Sequence, residues 1–131
     1  MNSINDKIDA YGASLKLRAQ RQQLLASNIA NADTPGYKAV DFDFAAALNR
    51  ATVSRLGLAN TRSGHLPGRG GSLAGVDIKY RIPAQDAIDG NTVEIDREVS
   101  LFTQNALAYQ ARAQFLGDAI RQMRTAITGQ G

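Results

Sequence analysis

The sequence predicts a mainly α fold: long N- and C-terminal helices paired as an antiparallel or steeply packed coiled coil, with a short middle helix, a flexible loop and a short β segment. Two apolar patterns and one break carry this reading. Ile95, Val99, Phe102, Ala106, Tyr109, Ala113, Leu116, Ile120, Met123 and Ile127 follow one another at spacings of four and three. That is the 3.5-residue repeat of a helix that lies along another helix. A weaker stripe of the same period opens the chain. Between the two, glycine, proline and an alternating stretch interrupt any helical pattern.

The first helix is expected within residues 1–32. Ser3 with Asp6 three residues on has the form of a capping box. Ile4, Ile8, Tyr11, Leu15, Leu25 and Ile29 make the stripe, with Arg18 and Gln22 in the two slots between and Leu17 and Leu24 on a neighbouring ridge. Polar breaks in such a stripe either fix the register between helices or mark a less buried stretch, and the residues alone leave both open. Asp33-Thr34-Pro35-Gly36 ends the helix, because proline biases Thr34 away from the helical region and glycine admits a positive φ. The amides of Asn28 and Asn31 lie on one face of the last turn, within reach of orphan carbonyls there or of the turn beyond. Tyr37 then packs back or reaches a neighbour.

A signature turn and short helix fill 33–56. Phe42, Phe44, Ala45, Leu48 and Leu56 suit a helix from Asp41, although Asp-Phe-Asp-Phe equally begins a strand. Residues 57–75, with Gly68-Arg69-Gly70-Gly71-Ser72, read as a flexible loop. In 76–92, Val76, Ile78, Tyr80 and Ile82 alternate with Asp77, Lys79 and Arg81 as a short half-buried strand, closed by Pro83 and the turn Asp89-Gly90-Asn91. Asn91 with Glu94 offers a cap for the last helix, expected over 93–128. Its acids at 94, 96 and 98 and its Arg121 and Arg124 complement the macrodipole.

At 131 residues the chain is a single domain. It has no cysteine, hence no disulfide framework and no thiolate chemistry. No run is long and apolar enough for a membrane span, and the opening residues do not resemble a cleavable secretory signal. The net charge of +3 gathers in residues 50–81, scattered through glycine-rich sequence rather than on a basic face with interleaved aromatics. A solvated linker, or a rim meeting an acidic neighbour, explains that excess better than nucleic-acid binding. His65, the only histidine, has no carboxylate cluster at metal-ligand spacing. Gly70 and Gly75 have the outer spacing of a phosphate loop, but Val76-Asp77 stands where lysine and a hydroxyl residue are required. The carboxylates of 86–98 read as capping and solvating groups rather than acid–base pairs. No enzyme, cofactor or metal site is expected, and no small-molecule substrate.

One segment carries a resemblance. Asn28-Ile29-Ala30-Asn31-Ala32-Asp33-Thr34-Pro35-Gly36-Tyr37-Lys38 resembles the N-terminal signature shared by the rod, hook and hook-associated proteins of the bacterial flagellum. Its ending, and Tyr80-Arg81-Ile82-Pro83 with Asp89-Gly90-Asn91-Thr92-Val93-Glu94-Ile95-Asp96-Arg97-Glu98, are most similar to the proximal-rod branch of that family. The resemblance covers about 15–56 and 76–128. It implies a structural subunit of the basal-body rod, whose terminal helices form a coiled coil in a hollow helical tube that transmits torque and conducts exported subunits. Implied partners are further copies of itself, the rod protein FlgC, the adaptor FliE, the MS-ring protein FliF and the flagellar type III export apparatus. Implied too are a place on the periplasmic side of the basal body and export without a cleaved signal peptide. On the same reading Asn28, Asn31, Thr34, Pro35, Gly36 and Tyr37 shape the turn where subunits meet, and the two stripes are the seam of hairpin and assembly. The rival expectation is a generic soluble helical-hairpin adaptor or scaffold.

Overall fold

A computed structural model describes residues 3–55 and 76–129. Five elements follow in order: α1 (Ile4–Ala30), β1 (Val40–Phe42), α2 (Phe44–Arg55), β2 (Ile78–Tyr80) and α3 (Ile95–Thr128). The flexible loop expected at 57–75, with His65, and the expected helical end at Leu56 lie outside the described residues.

α1 starts where its sequence dictates. The Ser3 hydroxyl accepts from the Asp6 N–H, and the Asp6 carboxylate accepts from the Ser3 N–H, so two orphan donors of the first turn are satisfied. α3 ends at Gly129, whose φ of 66° closes the last turn. At 34 residues α3 is about 50 Å long. The two helices pack antiparallel along much of that length. Asn28 meets Glu98, Arg18 and Gln22 meet Asn105, and the Tyr11 ring lies 6.0 Å from that of Phe115.

Against the other side of α1 sits a small layer. β1 and β2 pair antiparallel, with Val40 opposite Tyr80 and Phe42 opposite Ile78. Leu17 and Leu24 of α1, Phe42, Ala47 of α2 and Val76 form the buried cluster, with Phe44, Leu48 and Ile78 packed on it. The neighbouring ridge of α1 therefore faces this layer, while the main stripe faces α3.

Three local expectations are corrected. The Asp-Phe-Asp-Phe segment opens as strand β1, and α2 starts only at Phe44, because the partner strand lies far along the sequence. In the alternating stretch Val76 is buried, but Tyr80 and Ile82 stand 75% and 87% exposed. Their neighbour Arg81 points inward instead, drawn by the half-buried Asp41 and buried Glu98 carboxylates. Finally, Asn91 does not cap α3. Glu94 holds the N-cap position with no side-chain cap, its carboxylate accepting from the Ala84 N–H, and Asn91 is used elsewhere.

The seam of the hairpin also has a different phase. Along α3 the residues buried against α1 are Glu98, Asn105 and Ala119, with Phe102, Leu116 and Met123 half-buried. The heptad period is kept and the Phe102, Leu116 and Met123 arm stays in place, but the other arm lies a residue earlier than the apolar pattern suggests, which turns the centre of the seam by about 50°. Ile95, Val99, Ala113, Ile120 and Ile127 are consequently exposed, Tyr109 is 41% exposed, and Ala106 is half-buried at the edge. The cause is polar. Glu98 and Asn105 hold hydrogen-bond partners on α1 that an apolar count ignores, and satisfying them turns the helix. On α1, Leu25 is fully buried, whereas Ile4, Ile8, Tyr11, Leu15 and Ile29 are half-buried.

Candidate functional site

The chain's polar side chains converge where α1 ends, β1 begins and α3 begins. Asn28 is the centre and is fully buried. Its Nδ2 donates to the Val40 carbonyl at 2.8 Å and to Glu98 Oε2 at 3.0 Å. Its Oδ1 accepts from the Val40 N–H at 3.0 Å and from the Tyr37 hydroxyl at 3.4 Å. Both donors and both acceptor directions of one amide are thus used. Toward Val40 the side chain behaves as a short piece of neighbouring strand, reading one residue's N–H and C=O together.

Glu98 is the second pivot, 0% exposed. Besides Asn28 it accepts from Arg81, which also donates to Asp41 at 2.6 Å. Asp41 takes two further bonds from Arg21, at 3.1 and 2.9 Å, and one from the Phe42 N–H. Two cations and two anions from α1, β1, the end of β2 and α3 therefore cancel inside the junction. A buried pair in this geometry is satisfied rather than strongly stabilising, and its removal by halves is costly. Burial alone would raise the Asp41 carboxyl, but the Arg21 hydrogen bond, the Phe42 N–H, the Arg21 charge and Arg81 outweigh it. They hold the group below its ordinary value of 3.8.

A folded-state pKa depressed in this way stabilises the protein above the unfolded value. The contribution is lost as pH falls through the folded-state value. Asp41→Asn is therefore expected to lower the urea midpoint clearly at about pH 6 and by less at about pH 3, because part of the contribution is already lost once the pH has dropped below the unfolded value toward the depressed folded-state one. Equal losses at both pH values would remove the ion pair from the account.

Next to this junction the turn after α1 is clasped by residues 89–92. Asn31 Nδ2 donates to the Ser27 carbonyl at 2.8 Å, and the Thr34 hydroxyl donates to Asn31 Oδ1 at 3.2 Å. Asn91 Nδ2 lies within hydrogen-bond distance of the Asn31, Ala32 and Thr34 carbonyls, at 3.0, 2.9 and 2.7 Å. It serves acceptors that the helix end leaves without intrahelical donors. The Gly36 N–H donates to the Asp89 carbonyl, the Thr92 N–H to the Tyr37 carbonyl, and the Ala39 N–H to the Thr92 hydroxyl. Lys38 Nζ reaches the Gly90 carbonyl at 2.6 Å. Gly36 has a φ of 74°, with open space where a Cβ would stand. Gly36→Ala is thus expected to cost only backbone strain, about 1–2 kcal/mol by denaturant unfolding; no loss would show the turn relaxing to another conformation.

Every residue that the sequence assigns to the turn is accounted for. Asn28, Asn31 and Thr34 bond as described, Tyr37 folds back with its hydroxyl 3.2 Å from Ser27 Oγ, Gly36 supplies the positive φ, and Pro35 is exposed in the turn. Sequence reasoning misses the part played by Arg21, Asp41, Arg81, Asn91, Glu98 and Asn105. For Arg81, Asn91 and Glu98 a signal exists, since they lie in the second stretch that resembles rod proteins; the other three carry none. Among the described residues no group of acidic or imidazole side chains is placed to hold a metal ion, and no helix is long and apolar enough to cross a membrane.

The junction welds a signature turn to the root of a long helical hairpin, which is the work of a structural subunit. Comparison with known proteins gives its kind. A sequence model described as flagella basal body rod protein matches residues 13–38, which is the hairpin's first arm and the turn. The flagellar basal body rod protein FlgB of Salmonella typhimurium is 43% identical over 134 aligned residues, covering 95% of this chain and 97% of the relative. That of Escherichia coli is 44% identical over 128 residues (90% and 93%), and that of Cereibacter sphaeroides 41% over 130 (99% and 100%). The chain belongs to the FlgB family of flagellar basal-body rod proteins. It is a structural component of the bacterial flagellum, placed in the basal body.

Proposed function

We propose that this subunit builds the proximal rod as a single axial domain over 1–131, its two terminal helices joining a coiled coil in a hollow helical tube. The observation that carries this reading is the unused arm of α3. Ile95, Val99, Ile120 and Ile127 repeat along one flank of the hairpin and remain 44–77% exposed. A side chain of this kind is stabilised by roughly 1.5–3 kcal/mol on full burial, so a row of them favours lengthwise neighbours. The tube transmits torque and conducts exported subunits; the protein does no catalysis and holds no cofactor. Its neighbours on this reading are its own copies, FlgC, FliE and FliF. It reaches the periplasmic side through the flagellar type III export apparatus without loss of a signal peptide. The clasped turn, from Asn28 to Tyr37, lies where subunits meet.

Leu116→Asp tests the reading. Leu116 is half-buried on the arm of α3 that faces α1, and an unpaired carboxylate there is costly to desolvate. The expected result is a chain made in the cell but missing from purified basal bodies. Wild-type amounts of the variant in basal bodies would refute the seam, and wild-type chain missing from them would refute the rod subunit itself.

A further inference from the structure

A groove of about 340 Å³ opens on one flank of the hairpin, between the middle of α1 and the middle of α3. Ala19, Ala106 and Tyr109 give it apolar walls, and Arg18 stands in its lining. The Arg18 guanidinium has no carboxylate partner among the described residues. It donates to Asn105 Oδ1 at 3.4 Å and lies 4.3 Å from the centre of the Phe44 ring, while its Nε is buried without any hydrogen bond. Burial, with the Arg112 and Arg21 charges nearby, depresses its pKa. Arg112 stacks 5.9 Å from the Tyr11 ring further along the hairpin, again without an acid. Such a cation, partly desolvated and repelled by its neighbours, favours an anion brought by something else.

The chain itself carries a matching anion. Among the described residues, Asp33, Asp86 and Asp96 are the carboxylates with neither a hydrogen bond nor an ion pair. Only Asp96 stands on a helix. It shares a face of α3 with Val99 and lies beside Ile95, both exposed. An acid bordered by aliphatic side chains is the complement of an arginine bordered by alanines and a tyrosine. We propose that the first turn of α3 from a second copy of this chain docks in the groove, its Asp96 pairing with Arg18.

This rests on the rod reading and gives it a specific lateral contact. With the copies parallel, the groove of each takes the acid of the next, so the contact is heterologous and does not close on itself as a two-fold dimer. Asp96 and Asn105 are nine residues apart on α3. Parallel copies joined this way are therefore staggered by roughly 13 Å along the helix axis, and repetition makes a helical array.

Absence of cysteine makes the test clean. Full-length chain carrying Ala19→Cys in the groove and Ser100→Cys one turn beyond Asp96 is incorporated into basal bodies, which are purified and mildly oxidised. Disulfide-linked dimers and higher multimers are expected. Asp96→Arg in that background is expected to cut their yield about tenfold or more, by placing like charges together. Adding Arg18→Glu to Asp96→Arg is expected to restore it. Basal bodies that contain the chain but give no linked copies overturn the contact alone; absence of the chain from basal bodies overturns the rod reading and the contact with it. An unchanged yield with Asp96→Arg also overturns the contact. Asp96 is exposed, so that outcome decides even if Arg18→Glu fails to fold.

Discussion

Glu98→Ala is expected to destabilise the protein by about 3–5 kcal/mol, the largest loss from truncating any one side chain of the junction. The carboxylate is completely buried and accepts from both Asn28 and Arg81. Removing it leaves a nearly buried guanidinium with only Asp41 and turns one donor of Asn28 toward a void. The second cost follows from the first, because the same amide holds Val40 in place. Thermal unfolding followed by circular dichroism should show a drop in Tm on the order of 10–20 °C for a domain of this size. Glu98→Gln keeps an acceptor for Arg81 and should fall between the two. A Tm for Glu98→Ala within a few degrees of wild type would mean that water reaches the junction and that the network is ornamental.

Leu25→Ala is the second large effect, expected at about 2–5 kcal/mol. Leu25 is completely buried, in the same stretch of α1 as Leu24 of the core cluster and one turn before Asn28. Truncation leaves a cavity in the closely packed stretch of α1 that runs from Leu24 to Asn28, two buried residues with little room to shift. The measurement is the urea midpoint at unchanged slope. Leu15→Ala makes the comparison: Leu15 lies on the same stripe, is only half-buried, and is expected to cost clearly less. Equal losses at both positions would contradict the packing described for the hairpin.

What can be read in the sequence is whatever depends on near neighbours. The capping box at Ser3, the helical period of both ends, the break at Thr34-Pro35-Gly36 and the antiparallel-capable length of the last helix are all settled within a few residues of chain. The junction is not. Asn28 and Glu98 are separated by 70 residues, and no local pattern says that an asparagine will complete a strand or that a glutamate will sit at the centre of a seam. The phase of α3 is hidden for the same reason. Apolar residues announce the period, but polar residues with buried partners decide which side faces inward, so Glu98 and Asn105 move the seam off Ile95, Val99 and Ile120. Arg81 shows the converse: in an alternating strand it occupies the solvent slot, and only the distant Asp41 and Glu98 explain why Tyr80 and Ile82 are turned outward instead. The resemblance joins these two stretches by family likeness, and their hydrogen bonds supply the physical reason that they travel together.

The Asn28 amide has an implication for the order in which the molecule comes into being. A newly delivered chain that has presented only its first half owns the asparagine, the tyrosine and the strand, yet lacks the glutamate that orients the amide and the Asn91 that ties down the turn. The closure cost of so long a loop is met only when both ends are present. The first arm should accordingly stay pliant during any end-first delivery and stiffen in one cooperative event once the last helix arrives. An incomplete copy would then lack the finished geometry of the junction, however much of its first helix had already formed.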